Sequence, residues 1–239
     1  MDIIGHIYTD FPEKFGIPRQ SNIVEKLEGT IIFEPEYRHP SAFNGLSDYE
    51  YIWILFQFHQ AIRGDGKFNA TVKPPKLGGN TPMGVFATRS PFRPNNIGLS
   101  SVRLESIEYT EKYGPVLHVK GADMVNGTPI IDIKPYLPYT DSHPDAKAGF
   151  AGNISDYQLE VTFANDELRS TAINTIGHDK YDTLVALLSE DPRPGYSNNI
   201  NNKTNRNNTS KEYGVSFAGI NVRFVVNNKI LVVTDVTKL

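Results

Sequence analysis

From residue 3 to residue 136 the chain is a succession of short runs rich in β-branched and aromatic residues, with Gly, Pro and Asn between them and no amphipathic helical segment joining one run to the next. The runs fall at 3–8, 30–34, 51–58, 85–88, 98–109, 116–122 and 128–136. Side chains crowded at Cβ suit a pleated surface better than a helix, so each run predicts a strand. Many strands without intervening helices argue against repeated βαβ units and predict a barrel or a sandwich. Within the fifth run, residues 101–107 alternate: Val102, Leu104 and Ser106 on one face, Arg103, Glu105 and Ile107 on the other. One short helix is expected at 40–46, where Pro40 suits the first helical position.

The pattern changes after about residue 150. Residues 157–163 predict a strand with Leu159, Val161 and Phe163 on one face. Helical stretches are expected at 166–175 and 180–189, the second carrying Leu184, Leu187 and Leu188 at helical spacing. Pro192 and Pro194 keep the DPRPGY segment (191–196) out of helix. Seven asparagines between 198 and 208 predict a mobile surface loop. The chain then ends in a hairpin, with Ile220, Val222, Phe224 and Val226 alternating, Asn227-Asn228 able to adopt a tight turn, and a return strand over 230–236. The expected organisation is mainly β over residues 1–150, with a smaller α+β domain over 157–239.

Composition removes several function classes. Cysteine is absent, which excludes disulfides, thiol nucleophiles, zinc–thiolate sites and iron–sulfur clusters. The longest apolar run, 51–56, falls far short of the roughly 20 residues a membrane helix needs. The first ten residues lack the basic and apolar regions of a signal peptide, so a soluble, cytoplasmic protein is expected. With six scattered histidines and no H-E-x-x-H, no metal site is expected. P-loop, Rossmann and G-x-S-x-G signatures are missing, and Gly64-Asp65-Gly66-Lys67 is too short to count as a phosphate loop. The net charge is −3, yet residues 63–103 hold seven basic side chains (Arg63, Lys67, Lys73, Lys76, Arg89, Arg93, Arg103) against Asp65 alone. That stretch is either an anion-binding face or a surface balanced by acids elsewhere.

The densest chemistry lies in GVFATRSPFRPNNIGLS (84–100), where Pro91 and Pro94 stiffen a loop bearing Arg89 and Arg93. Guanidinium forks suit a carboxylate or a phosphate, Asn95 and Asn96 offer amide donors and acceptors, and Phe86 and Phe92 offer flat apolar faces. Three further segments are similarly rich. EKFGIPRQ (13–20) sets Arg19 and Gln20 after a proline, and YIWILFQFHQ (51–60) ends an apolar strand in polar side chains. NGTPIIDIKPYLPY (126–139) places Asp132 and Lys134 on one strand face, where they form a surface pair or a base with its partner.

In their order and spacing these four segments resemble the TsaA-like β-barrel tRNA methyltransferases, over roughly residues 1–150, and DPRPGY resembles the two-domain form of that family. The resemblance implies a small β-barrel that binds S-adenosylmethionine without a Rossmann fold, and a homodimer. It implies methylation of the exocyclic amine of threonylcarbamoyladenosine beside the tRNA anticodon. By motif, the cofactor contacts fall on Pro18, Arg19, Gln20, His59, Gln60, Arg89 and Leu99, and on Asn126, Gly127, Thr128, Pro129, Ile130, Ile131 and Asp132, with Asp132 also the candidate general base. Two departures stand out: Asn96 where the family usually has proline, and Asn126 where it often has aspartate. The altered Asn126 leaves open a rival reading, a non-catalytic barrel that binds S-adenosylmethionine or a nucleotide as a sensor or adaptor. A second rival is a methyltransferase acting on a small metabolite.

Overall fold

A computed structural model of the chain describes residues 1–61, 68–74, 81–152, 158–193 and 211–239. The Gly64–Lys67 segment, Arg63, Lys76, Tyr157 and the asparagine-rich run at 198–208 lie outside the described residues. The strands are β1 (Gly5–Thr9), β2 (Glu28–Phe33), β3 (Tyr51–Gln57), a minor pair β4 (Thr71–Val72) and β5 (Met83–Gly84), then β6 (Ile97–Thr110), β7 (Gly114–Lys120) and β8 (Thr128–Pro135). Six of them close into an antiparallel barrel in the order β1-β2-β7-β6-β3-β8, with Gly5 of β1 paired to Ile130 of β8 at the seam. Closure leaves no strand edge unpaired. All six barrel strands lie where the sequence pattern placed them, within a few residues at each end.

The pleat explains the barrel core. In β3, Ile52, Ile54 and Phe56 point inward and are buried, while Tyr51, Trp53 and Leu55 alternate outward. They meet Ile7, Ile31, Val102, Leu117 and Ile130 from the other strands. In β6 the simple alternation breaks, because a bulge between Leu104 and Ser106 shifts the register against β7. The extra residue turns Ile107 back towards the core and Ser106 outward, the reverse of the sequence expectation.

Residues 85–88 are a second correction. They form a 3-10 turn, Val85–Ala87, rather than a strand. The Thr88 amide and hydroxyl both donate to the Val85 carbonyl, at 3.1 and 2.9 Å, so the turn closes on itself and leaves no ladder to extend. The helix expected at 40–46 is a pair of 3-10 turns, Pro40–Phe43 and Leu46–Asp48, with Pro40 at the start.

After the short helix α1 (Pro138–Asp141) the chain enters a second sheet built from β9 (Glu160–Phe163), β10 (Tyr213–Phe217), β11 (Ile220–Asn227) and β12 (Ile230–Lys238). Its order is β10-β11-β12-β9, with β9 parallel to β12. The intervening helix α2 (Asp166–Ser189) is capped by the Asn165 side chain, which accepts from the Leu168 amide at 2.9 Å. Gly177 (φ 80°, ψ 165°) divides α2 into two arms, which match the two helical stretches read from the sequence. The hairpin turn falls on Asn228-Lys229, one residue later than expected, with Asn228 at φ 55°. Strand β10 was not anticipated: it is short, and Gly214 and Ser216 interrupt its apolar pattern.

The β1–β2 connection joins the two halves. Its Phe11, Val24 and Leu27 are buried in one cluster with Leu184, Leu187 and Leu188 of α2 and Val215, Phe217 and Phe224 of the second sheet. The Phe11 and Phe217 ring centroids are 5.4 Å apart. Asp10 receives a hydrogen bond from Lys180 at 2.6 Å, and Ser216 donates to Glu13 at 2.9 Å. A loop that begins and ends in the barrel is therefore held by the second sheet.

Candidate functional site

A cavity of about 700 Å³ lies against the β3–β6 part of the barrel wall, a size suited to a ligand of several hundred daltons. The ends of β3 and β6 form its floor. Gly98 is required there, because a Cβ would sit 2.3 Å from the Phe56 ring. Trp53, Phe56 and Phe58 give it aromatic surface, the 88–93 loop one wall, the 123–128 segment another, and the β1–β2 connection its cover.

Hydrogen bonds tie these separate segments together. Arg89 donates to the Gln20 side chain, and Lys14 to the Gln60 carbonyl. The Arg19 guanidinium reaches the Arg193 carbonyl at 3.4 Å, so the second half of the chain touches the cavity cover directly. Arg193 is itself gripped by Asp191, whose two carboxylate oxygens accept from it at 2.7 and 2.8 Å. That bidentate pair fixes the first part of the DPRPGY segment. The Arg89 loop is braced from within: Arg93 donates to the Thr88 carbonyl at 3.1 Å, and Asn96 to the Pro91 carbonyl at 2.8 Å.

Of the residues the motifs single out, Pro18, Arg19, Gln20, His59, Gln60, Arg89, Leu99 and Thr128 all line this cavity. The rest of the 126–132 stretch does not. Asn126 accepts from the Thr9 amide at 3.1 Å and Gly127 (φ 77°) donates to the Ile7 carbonyl at 2.8 Å, so both shape the turn into β8. Pro129 is paired with His6, Ile130 is buried in the barrel core, and Ile131 is half-buried further along β8. Asp132 faces a different hollow, of about 630 Å³, beside Tyr37, Phe43 and Tyr49. There it pairs with Lys134 at 3.0 Å, so the structure does not bring it to the cavity that gathers the other motif residues.

The wall formed by this part of the chain lies a few residues upstream instead, at Asp123, Met124 and Val125. Sequence reasoning passed over these residues and Ser100, which also line the cavity. The one available signal was an acid set among small and apolar neighbours in GADMV (121–125). Ser100 donates to the Asp123 carboxylate at 2.7 Å. Burial pushes the Asp123 carboxyl above the ordinary carboxylate range, against the opposing pull of the Ser100 hydroxyl, its own backbone amide, the Arg89 charge and the Ser21 amide. Burial likewise lowers the His59 imidazole, helped by the charges of Lys14 and His6, so His59 is neutral at pH 7. Among the described residues no cluster of His, Asp and Glu could hold a metal ion, and no helix is long and apolar enough to cross a membrane.

A closed antiparallel barrel with a cavity against its wall, arginine forks, aromatic surface and a half-buried carboxylate defines a small-molecule-binding barrel, not a doubly wound nucleotide fold. Two family models match the chain: the tRNA-methyltransferase O N-terminal domain over residues 6–142, and the TrmO C-terminal domain over 156–239. The chain belongs to the tRNA-methyltransferase O family. It is similar to the tRNA (adenine(37)-N6)-methyltransferase of Escherichia coli, 37% identical over 226 residues that cover 94% of this chain and 92% of that one. A protein of Pseudomonas aeruginosa whose name places it among S-adenosylmethionine-dependent methyltransferases is 38% identical, over 81% of each chain. A crystal structure of TrmO from Pseudomonas aeruginosa superposes with a TM-score of 0.75 at 31% identity, covering 99% of this chain and 95% of that one.

Proposed function

We propose that this chain methylates the exocyclic N6 nitrogen of adenine 37, beside the anticodon of tRNA, with S-adenosylmethionine as methyl donor. The observation that carries this reading is the convergence of four distant sequence segments, 13–20, 51–60, 84–100 and 123–128, on one cavity in a chain of this family. The chemistry of the wall fits the cofactor. Arg19 and Arg89 offer forks for its carboxylate. Trp53, Phe56 and Phe58 offer apolar faces to its adenine. The Asp123 carboxylate and the aromatic faces suit a sulfonium cation. A neutral His59 adds no repelling charge.

When bound, the cofactor supplies an electrophilic methyl group. The residues of the chain position and exclude water. The braced 88–96 loop and the cover held by the second sheet keep their groups in place before binding, and such pre-orientation supplies much of the rate in an in-line displacement. Asn126 and Gly127 act at one remove, by setting the turn that aims Thr128 into the cavity. The finer reading is that the acceptor is threonylcarbamoyladenosine, that the enzyme works as a cytoplasmic homodimer, and that residues 1–150 form the methyltransferase domain while 157–239 serve RNA binding.

Labelled methyl donor and purified tRNA, with or without the threonylcarbamoyl group at position 37, provide the test. Nucleoside mass spectrometry is expected to find one methyl group added on N6 of the modified base and none on unmodified adenosine. Cofactor binding without transfer to any tRNA would favour the sensor reading instead.

A further inference from the structure

Methylation of N6 leaves a proton to be removed, and few groups in the cavity can accept one. Lys14, Arg19, Arg89 and Arg93 are cations. His59 is the other group there that could accept one, and burial lowers its basicity. Asp123 is the one carboxylate that lines the cavity among the described residues, half-buried and aimed by the Ser100 hydroxyl at 2.7 Å. Ser100 is buried in β6, paired with Ile54 of β3, so the hydroxyl that orients the carboxylate stands on the rigid barrel wall.

We propose that Asp123 is the proton acceptor of the methyl transfer and that Ser100 is its positioning residue. The proposal rests on the reading of this cavity as the methyl-transfer site. In the step, the N6–H bond breaks and its electron pair stays with nitrogen. A bond from nitrogen to the methyl carbon forms as the sulfur–methyl bond breaks, its pair leaving with sulfur. The proton ends on an Asp123 carboxylate oxygen. The sulfonium charge and the carboxylate charge are both consumed, so the reacting pair of opposite charges ends as two neutral groups. A carboxylate raised above its ordinary range is a stronger base than a solvated one, which favours its accepting this proton. The groups that face Asp123 set its titration: the Arg89 charge and the Ser21 and Ser100 donors favour the anion, and burial disfavours it.

The experiment has two independent readouts. The first is the carboxyl carbon resonance of Asp123, titrated in the cofactor-free protein. Its midpoint is expected above the ordinary aspartate value of about 3.9. It is expected to rise further in Ser100→Ala, which loses a donor to the anion. The second is the pH profile of single-turnover transfer. Asp123→Asn is expected to lose on the order of 100-fold or more in rate, while its affinity for S-adenosylhomocysteine, which carries no sulfonium charge, stays unchanged. The acidic limb of the profile is expected to move to higher pH in Ser100→Ala, in step with the resonance.

Folding of Asp123→Asn is checked by melting across pH. A carboxyl raised in the folded state contributes stability that is full below its unfolded pKa and lost as pH rises through the folded one. The asparagine variant is therefore expected to melt no lower than the wild type at neutral pH, with any gap closing in acid. Full activity in Asp123→Asn would overturn the assignment. So would an acidic limb that survives there but vanishes in His59→Gln, which would make the imidazole the acceptor. A wild-type chain that binds S-adenosylhomocysteine yet transfers no methyl group would sink the methyltransferase reading itself, and this inference with it.

Discussion

Arg89 stands exposed at the cavity rim, tied to Gln20 across two loops, and its fork is free to turn onto a ligand carboxylate without disturbing the barrel. Arg89→Ala is expected to weaken S-adenosylmethionine binding by about 1.5–3 kcal/mol, the range for a charge-assisted hydrogen bond, and to leave the melting temperature nearly unchanged. Calorimetric titration decides it, and an unaltered affinity would remove Arg89 from the site. The two departures from the family pattern also resolve at this scale. Asn96 adopts φ 49°, which proline cannot reach, and its side-chain amide braces the loop through the Pro91 carbonyl. One stiffening device replaces another. At 126 the role is to accept from the Thr9 amide, which an amide oxygen performs as a carboxylate would.

The β1–β2 connection is the element that couples the two halves to the cavity. Its Gly16 has φ 92°, and a Cβ there would meet Val215 at 2.8 Å, so both backbone and space demand glycine. Gly16→Ala is expected to destabilise the fold by about 1–3 kcal/mol through left-handed strain. It should also weaken cofactor binding, because Ile17, Pro18, Arg19 and Gln20 follow it into the cavity wall. Denaturant unfolding and calorimetry on the same variant check both effects. A variant that is destabilised but binds normally would mean the cover is indifferent to its anchor.

For the whole molecule, the consequence is a shared core. Phe11 belongs to the barrel by sequence but is buried against Phe217 of the second sheet. Phe11→Ala is expected to cost about 3–5 kcal/mol, the usual loss for a buried phenylalanine. If the halves are coupled as the packing indicates, the barrel and the second sheet should lose stability together, in one cooperative transition. Tryptophan fluorescence reports the barrel through Trp53, and far-ultraviolet circular dichroism reports helix α2. Two separated transitions, with the Trp53 signal unmoved, would show that the halves fold independently.

Local signals set most of the barrel. Period-two alternation, β-branched runs and Gly/Pro/Asn breaks act within a few residues, so all six barrel strands and both arms of α2 were legible. The motif segments carried most of the cavity for the same reason: a proline-stiffened loop and a strand end announce themselves locally. The 85–88 run was misread because β-branched and aromatic residues also fit a single tight turn, and only the Val85 carbonyl's two donors decide between them. The bulge in β6 depends on its register against β7, which no single strand encodes. Asp123 and Asp132 show the limit most plainly. Both are acids in the segment around β8, and sequence alone favoured Asp132 because it lay within a recognised motif. Which acid meets the cavity depends on where β8 begins and on which side of the barrel it lies, and that is fixed by pairing with β1 and β3, segments more than 70 residues away in the chain.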